Sequence, residues 1–571
     1  MDTILMRRTC AVILMIMMGI TAASPAEQEA SSQVAFIAAQ PASHQASSQI
    51  SPNSFQPRAD LAGWDLRDMD LSGMNLSQST LAGADLRGAN ISYSDLEEAD
   101  ARACNFSMAQ MMGSNLVAVN LIGSNLSGAN LTSARLDQSR LSEAALQGAD
   151  LDGASLEAAN LSRSHMDGAS MRGAFLRRAT LRGSTLSEAD LSGASLVGAN
   201  LIDCNMSEAV LIGTDVSEAR AAGANFQGAN LSRCIMHFTN LSSVNLSGSD
   251  LSESVLDASG LVGSDLCGAN LTGAKLAGAW AYQADLSAVT AVGADFKGAQ
   301  LNDTDLSGSD LRDADLTDAS LSGADLSRAK LEGTRLYRAD LTSAIVRDTS
   351  FIRASLLGAR LNWADLRETE LLSCQFARAE LFGANLGGSD LSGSDFTRAY
   401  LTRANLSGCK LSPATVDHAD FTGADLSGAD LREDVFYKCQ LDDADLSMAD
   451  LTRSNLHSMT MTGTAFSRAS LRSAVIERAT FDDADFGGAD LRGAAFYLAS
   501  LQNTNLSGCD LRGANLTAVV LKDVDMRDAN LEGIRYDDAT LGFLAGLDLS
   551  RAKIDANLRK DLEELGSPAI P

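Results

Sequence analysis

Carboxylates are the side chains of this sequence best placed to do chemistry, because they recur at a fixed spacing. Asp265, Asp285, Asp305 and Asp325 lie 20 residues apart. Carboxylate oxygens are ligands that Ca²⁺ prefers. Carboxylates stacked about 5 Å apart on neighbouring strands repel one another unless cations or backbone N–H groups offset the charge. The series is therefore a weak candidate for a divalent-cation site, with a hydrogen-bonded scaffold as the alternative.

Other signals of catalysis or of a bound cofactor are missing from the sequence. The segment from Gly268 to Lys275 resembles a phosphate-binding loop but lacks the Gly-Lys-Ser/Thr ending of that motif. The histidines share no metal-ligand spacing. They are His44, His165, His237, His418 and His457. We therefore predict a protein that is not an enzyme and that needs no cofactor.

Composition and charge narrow the class of protein. The chain has 571 residues, of which 73 are acidic and 45 basic, and its formal net charge is -28. This excess of negative charge disfavours a polybasic nucleic-acid or membrane binder. Because 45% of the residues are hydrophobic, a disordered acidic chain is also disfavoured. Such a bias without disorder is typical of a repeat protein.

A five-residue repeat runs from Leu61 to Leu541 without insertion or deletion. Nearly every fifth residue is apolar, and we call this position the centre. The residue two before the centre is small, as at Ala84, and we call it the small position; the residue between them is most often Asp or Asn. Side chains alternate between the two sides of an extended stretch, and glycine two residues after the centre allows a turn. The unit therefore predicts a solenoid of short extended segments, with the centre and the small residue inside.

A second period, of 20 residues, gives the number of faces in one coil. When the Asp/Asn positions are sorted by residue number modulo 20, the class that contains Asp65, Asp85 and Asn105 is the richest in Asp and Asn. Residues 20 apart must therefore share an environment, which means that four five-residue faces close one coil. The repeat then makes about 24 coils, and roughly 4.8 Å per strand gives a rod on the order of 115 Å long.

The units Ala189–Gly193 and Ala424–Gly428 both read Ala-Asp-Leu-Ser-Gly. In these residues the chain resembles the pentapeptide-repeat family, whose pattern is Ala-(Asp/Asn)-Leu-X-X, and the resemblance covers residues 59 to about 543. It implies an all-β fold, a right-handed quadrilateral β-helix. Some members of the family mimic a DNA duplex and inhibit or protect DNA gyrase, and some dimerise through C-terminal caps.

The coil places most cysteines, and one aspartate, in the interior. Cys267 faces outward, whereas the other cysteines beyond the N-terminal segment sit at the small position. They are Cys104, Cys204, Cys234, Cys374, Cys409, Cys439 and Cys509. We expect no disulfides, because Cys104 and Cys204 share a column but lie too many coils apart to be bonded. Asp434 is the one charged residue at the small position, and because buried charge is costly, we expect a local bulge over 433–438 rather than a functional acid.

Large aromatic residues occupy outward positions along one edge of the predicted rod. Trp363, Phe382 and Tyr400 leave remainders of 3, 2 and 0 modulo 20, which places them on one edge in three successive coils. Trp280 and Tyr282 lie near the same edge, four to six coils lower. Exposed aromatic side chains in a line are typical of a binding patch, with drift on a tolerant surface as the alternative.

The N-terminal segment has the order of a secretory signal. Arg7 and Arg8 precede an apolar run over residues 11–20, and Ser24-Pro25-Ala26 supplies small residues for cleavage. We therefore predict a signal peptide over 1–26, whose apolar run is too short to span a membrane. A flexible linker rich in Ser, Gln and Ala follows over 27–54. The repeat domain is predicted over 55–543.

A C-terminal cap is predicted over 544–571. The repeat frame slips by three residues after Leu541, which makes Leu549 and Ile554 centres. A short helix is predicted over 555–565, with Asp555 as its N-cap and with one apolar face that carries Leu558, Leu562 and Leu565. The cap is either a hydrophobic lid or a homodimer contact.

These features predict a non-enzymatic, exported scaffold or binding rod that presents long flat faces to a protein or to a cell-envelope component. The compartment is the periplasm or the extracellular space, with a thylakoid-type lumen as an alternative. No nucleic-acid partner and no membrane-spanning segment are expected. The alternatives are a DNA mimic that acts on gyrase in the cytoplasm, and weak cation binding by the Asp columns. About one net charge per 4 Å of rod, against one per ~1.7 Å of DNA, disfavours mimicry.

Overall fold

The computed structural model describes residues 55–567. The predicted signal peptide, linker and His44 lie outside these residues, as does the C-terminal end of the predicted cap beyond residue 567. None of the helices among residues 55–567 is long and apolar enough to cross a lipid bilayer.

The described chain winds into a parallel, four-sided β-helix with 20 residues in each coil. Parallel bridges join residue pairs 20 apart in four ladders, which begin with Asp60↔Thr80, Asp65↔Asp85, Asp70↔Asn90 and Asn75↔Asp95. Each bridging residue is bonded to both neighbouring coils. The N–H of Asp85 donates to Trp64 O at 2.8 Å, and the carbonyl of Asp85 accepts from Leu66 N at 2.7 Å. The predicted coil length and number of faces are confirmed.

The corners of the coil need a left-handed backbone two residues after each centre. Gly123 occupies such a corner with a φ of 67° and has no atom near the position that a Cβ would take. The following small residue closes the turn, as where Ala84 N donates to Leu81 O at 2.8 Å. Many corners carry residues other than glycine, among them Trp363 with a φ of 63°. Glycine pays no steric cost in this conformation, which explains its place in the repeat.

The interior is a dry column of centres and small residues. The centre Leu66 and the small residue Ala89 are both inaccessible to solvent. The spacing of the coils can be measured on stacked phenylalanine rings at centres 20 residues apart. The ring centroids of Phe376 and Phe396 are 4.8 Å apart, which equals the separation of hydrogen-bonded strands. The narrow interior is therefore filled by side chains.

Three segments near the C-terminal end of the rod form longer strands. They are β1 (Thr480–Asp482), β2 (Ser500–Gln502) and β3 (Val520–Lys522). They pair in parallel with the register of the rod, so that Phe481 faces Leu501 and Leu501 faces Leu521.

The five-residue repeat ends earlier than the sequence predicts. Leu541 is not a buried centre but lies half-exposed in a helix, α1 (Asp538–Leu544). Two polar residues start this helix. The Asp537 carboxylate accepts from Thr540 N at 2.9 Å, and the buried Thr540 hydroxyl donates to Leu516 O at 2.7 Å. Because Asp537 caps α1, the chain leaves the coil at this point.

The ladder resumes three residues out of frame, as the sequence predicts. Lys553 bridges to Asn530, 23 residues earlier, and Leu549 is fully buried. The second helix, α2 (Ala556–Glu564), then closes the rod, with Asp555 as its N-cap. Its Leu558 and Leu562 are buried. Leu565, which was expected on the same face, is instead 55% exposed at the end of the helix.

Candidate functional site

Trp363, Phe382 and Tyr400 lie on one edge of the rod, and we call these three residues the aromatic edge. The coil stacking fixes their order, because Trp363 N donates to Phe382 O at 2.9 Å and Tyr400 bridges to Glu380 in the coil of Phe382. Trp363 is 60% exposed and Tyr400 is 55% exposed, whereas Phe382 is half-buried. The structure thus places the predicted residues in three successive coils.

The indole of Trp363 is held by the glycine one coil above it and by Phe382. A Cβ added to Gly383 would lie 2.5 Å from the indole atoms Cε3 and Cζ3, so the ring rests where that side chain would be. Phe382 meets the indole edge-on, with ring centroids 5.1 Å apart and an angle of 82°. Edge-to-face pairs of this kind are favourable. Tyr400 makes no such ring contact within the described residues.

Polar side chains surround the Trp363–Phe382 pair. Asn362 bonds to both sides: its Oδ1 accepts from Phe382 N at 2.9 Å, and its Nδ2 donates to Glu380 Oε2 at 3.2 Å. Arg360 lies 3.3 Å from a carboxylate oxygen of Asp340 and 3.9 Å from one of Glu380. The exposed ring is therefore bordered by an amide, a guanidinium and carboxylates.

Trp280 and Tyr282 lie on the same edge further down the rod. A continuous ladder runs from Trp280 through Gln300 to Tyr400. Trp280 is 59% exposed, and the Tyr282 hydroxyl donates to Gln300 Oε1 at 3.1 Å. The structure does not bring these two residues against Trp363, but it aligns them with it along the rod axis.

The four aspartates of the predicted cation column stack as expected, since Asp265, Asp285, Asp305 and Asp325 form consecutive bridges. Each carboxylate accepts from the backbone N–H two residues later, at distances of 2.8–2.9 Å. Across residues 55–567, no three His, Cys, Asp or Glu side chains are arranged to hold a metal ion. The hydrogen bonds account for one oxygen of each carboxylate, and cation binding by this column stays a prediction.

Asp434 does not cause the expected bulge. The backbone of 433–438 keeps the pattern of the repeat, and the side chain lies inside with only 3% exposed. Its Oδ1 accepts from Ala414 N at 3.2 Å, while its Oδ2 is buried without a partner among the described residues. Burial raises the pKa of Asp434 to about 7. The acid is tolerated because Ala414 supplies a donor and because the carboxyl can keep its proton.

Pro413 explains why Ala414 has a donor to spare. The corresponding corners one coil before and one coil after it, Gly393 and Glu433, have φ values of 74° and 63°. Proline fixes φ near −65°, so Pro413 cannot form this corner, and Ala414 N bonds to Asp434 instead of to the centre of its own unit. The ladder is also interrupted here, because Thr415 bridges to Asp395 but not to Val435 within the described chain.

The comparison with family models decides the class of protein. The model described as "Pentapeptide repeats" matches successive segments between residues 58 and 533, which together cover most of the chain. This chain belongs to the pentapeptide-repeat family. The comparison with curated proteins finds no match.

Several solved structures of pentapeptide-repeat proteins are similar to parts of this chain. HetL, a protein involved in heterocyst differentiation regulation in the cyanobacterium Nostoc sp. strain PCC 7120, is 32% identical; the match covers 39% of this chain and 89% of HetL, with a TM-score of 0.18. QnrB1, a plasmid-mediated fluoroquinolone resistance protein, is 20% identical over 40% of this chain and 97% of QnrB1, with a TM-score of 0.16. A protein from the thylakoid lumen of Arabidopsis thaliana is 27% identical over 19% of this chain and 70% of that protein, with a TM-score of 0.12.

The cysteines follow the family pattern of small interior residues. All eight cysteines of the described residues are free thiols, and only Cys267 is exposed. Burial raises the pKa of the interior thiols to about 11 for Cys204 and about 12 for each of the others. These thiols are therefore protonated and unreactive at neutral pH, as expected for groups that replace alanine.

Sequence reasoning missed a second aromatic corner. The Lys438 ammonium lies 5.1 Å from the centre of the exposed Tyr437 ring, and His418 meets the same ring edge-on at 5.4 Å. One corner of the coil also pairs Tyr337 with Arg338, at 5.9 Å. Sorting the aromatic residues by remainder modulo 20 would have found this corner, because residues 337 and 437 both leave 17.

A shallow cavity of about 470 Å³ lies between the last coil and the two helices of the cap. The Tyr536 hydroxyl, one of the lining groups, donates to Asp561 Oδ2 at 2.7 Å. Burial, together with this hydrogen bond, raises the pKa of Tyr536 to about 12. Leu541 and Leu565 add apolar atoms to a lining that is otherwise acidic.

Proposed function

We propose that this protein is a non-enzymatic, exported binding rod and that the aromatic edge captures its partner, a protein or a component of the cell envelope. The observation that carries the proposal is the exposure of Trp363 and Tyr400, at 60% and 55%, in neighbouring coils of a rod that buries its other large apolar side chains as centres. A regular solenoid offers a partner a rigid and extended surface.

The aromatic edge has the composition of an energetic centre of binding. Trp and Tyr dominate such centres because they bury much area with few rotatable bonds. The contacts of Trp363 with Phe382 and with the backbone at Gly383 fix the indole before any partner arrives. A pre-ordered anchor loses less entropy on binding, which favours capture over non-specific adhesion.

Crosslinking of the tagged full-length chain in its native compartment tests this function. The edge variant combines Trp363→Ser, Phe382→Ser and Tyr400→Ser. The matched control combines Tyr93→Ser, Phe175→Ser and Phe238→Ser, which removes exposed aromatic residues from other parts of the surface. We expect the crosslinked partner to disappear only in the edge variant. Equal capture by both variants would remove the aromatic edge from the proposal.

Export is tested separately, by fractionation and by N-terminal sequencing of the mature chain. A mature chain that begins near Glu27 outside the cytoplasm is expected. An uncleaved chain in the cytoplasm would overturn the exported role and would make DNA gyrase the first partner to test.

DNA mimicry is the weaker alternative, because arginines neutralise many of the outward carboxylates. Arg492 donates from Nε and Nη2 to the two carboxylate oxygens of Asp490, at 2.8 and 2.5 Å, and Arg512 does the same to Asp510. Such paired bonds are strong and well oriented, and they interrupt the row of negative charge that a duplex presents. Stoichiometric inhibition in a gyrase supercoiling assay would nevertheless restore this alternative.

We also propose the C-terminal cap as the contact of a homodimer. Leu565 and Phe543 leave apolar surface in water beside the cavity of the cap. Sedimentation of the wild type and of Leu565→Asp tests this contact. A dimer that becomes a monomer in the variant is expected, and a wild-type monomer would leave the cap as a lid only.

A further inference from the structure

We infer that the ligand of the aromatic edge is an uncharged polysaccharide that lies along the rod. This inference rests on the binding role proposed above and names the chemical class of the partner. It is drawn from the flat indole platform, from the polar groups around it, from the second tryptophan on the same edge and from the charge of the surface.

The Trp363 indole forms a platform rather than an insertion anchor. Its ring is set against the backbone of the next coil at Gly383 and against the edge of Phe382, and it keeps 60% of its surface open. A broad aromatic surface of this kind matches the apolar C–H face of a pyranose ring. A protein side chain, in contrast, is usually received in a pocket at the centre of an interface, and the aromatic edge has none.

The groups that border the platform suit sugar hydroxyls. Asn362, Glu380 and Arg360 present an amide, a carboxylate and a guanidinium beside the ring. Each of these planar groups can bond to two neighbouring hydroxyls, and the charged ones form the stronger hydrogen bonds. An aromatic face beside planar polar groups thus offers both halves of a pyranose, its C–H face and its hydroxyl rim, a complementary partner.

The lower part of the edge repeats this combination and indicates a polymer. Trp280 is 59% exposed, and the hydroxyl of Tyr282 is bonded to the amide of Gln300 beside it. Trp280 and Trp363 are about four coils apart, which is roughly 20 Å at the strand spacing. A disaccharide cannot reach both tryptophans, whereas a hexasaccharide can. Binding at both sites raises the effective affinity of the longer ligand.

The charge of the edge selects an uncharged polymer. Asp340, Glu380 and Asp420 lie in the ladder that carries Tyr400, and the whole chain has a net charge of -28. Carboxylates of an acidic polysaccharide would be repelled by these groups and by the surface as a whole. Neutral sugars meet no such repulsion.

Calorimetry of the full-length chain with chitohexaose, cellohexaose, the corresponding disaccharides and an oligogalacturonate tests the inference. We expect at least one neutral hexasaccharide to bind ~10²-fold more tightly than its disaccharide, and the oligogalacturonate not to bind. Trp363→Ala and Trp280→Ala should each reduce hexasaccharide affinity to the level of the disaccharide, whereas Trp363→Phe, which keeps a flat ring, should retain part of it.

Tyr93→Ala is the matched control, because Tyr93 also stands at a left-handed corner with its ring against a glycine, Gly113, and is 66% exposed. It lies on a different corner of the coil, so hexasaccharide affinity should not change. Absence of heat with both neutral hexasaccharides, equal loss in Tyr93→Ala, or tighter binding of the oligogalacturonate would overturn the inference. If the crosslinked partner is a protein that the edge variant loses, the binding rod stands and only the polysaccharide is rejected.

Discussion

The coils over residues 60–340 and the coils over residues 411–440 follow the same five-residue period but differ in regularity. In the first region every bridging residue pairs with the residue 20 positions later. In the second, the pairs Thr415–Val435 and Gln440–Thr460 are absent from the ladders of the described chain. The period alone therefore does not make a coil regular.

Two residues account for much of the difference. Pro413 stands at a corner that needs a positive φ, and Asp434 stands where the interior needs a small apolar side chain. Each fault partly compensates the other, because the Ala414 N–H that the altered corner frees is the donor that the Asp434 carboxyl accepts. Buried polar groups are costly when they are unpaired. The irregular coils are thus held by a side-chain bond where the regular coils use the backbone.

The largest effect is expected from the charge of Asp434. Its pKa is raised to about 7 in the folded chain, against about 3.9 in an unfolded one. The folded state therefore holds this proton more tightly, and the free energy of unfolding should fall as the pH rises from about 4 to about 7 and then level off. The shift corresponds to about 4 kcal/mol.

Asp434→Asn tests this pH dependence, because asparagine keeps an oxygen for Ala414 N but cannot ionise. Hydrogen exchange of the amides over 411–440 should slow in the variant at pH 8 and differ little from the wild type at pH 4. Exchange in coils 60–340 serves as the internal control and should not change. Equal protection of wild type and variant at pH 8 would show that the carboxylate is not buried as a charge.

The next effect concerns the dependence of Asp434 on Pro413. At pH 5, Asp434→Ala should lower the free energy of unfolding by about 1–3 kcal/mol, because Ala414 N then lacks an acceptor. Adding Pro413→Gly should recover most of this loss, since glycine permits the left-handed corner and the regular turn bond. A double-mutant cycle on denaturation midpoints measures the coupling. Strict additivity would contradict the compensation.

The same comparison shows what the sequence could predict. The coil length, the four faces and the frame slip to Leu549 follow from two periods that any reader can count, because every unit makes the same contacts. The aromatic edge follows from the remainders modulo 20, which are also positional. Features that depend on one side chain bonding another coil could not be read in this way. The Asp434–Ala414 bond replaced the expected bulge, and the Asp537 cap with the buried Thr540 hydroxyl started α1 where one more repeat was expected.

A smaller effect distinguishes an open corner from the corner that supports the aromatic edge. Gly123→Ala should cost about 1 kcal/mol, because its φ of 67° is left-handed but its surroundings are empty. Gly383→Ala has nearly the same φ, 63°, and in addition places a methyl group 2.5 Å from the Trp363 indole. We expect a similar change in denaturation midpoint for both variants, and a shift of tryptophan emission only for Gly383→Ala. An unchanged emission spectrum would mean that the indole does not rest on Gly383.

The smallest effect is expected in the regular coils, at the stacked aspartates. Asp285→Asn keeps the oxygen that accepts Ser287 N, at 2.8 Å in the wild type, and removes one of several like charges. Without bound cations, the variant should be as stable as the wild type or more stable by a few tenths of a kcal/mol, and the gain should shrink in high salt. If Ca²⁺ occupies the column, the variant should instead lose stability in millimolar Ca²⁺, and calorimetry of the wild type should show heat that the variant lacks. Asp285→Ala supplies the calibration, because it removes the Ser287 acceptor and should cost about 1 kcal/mol whether or not Ca²⁺ is present.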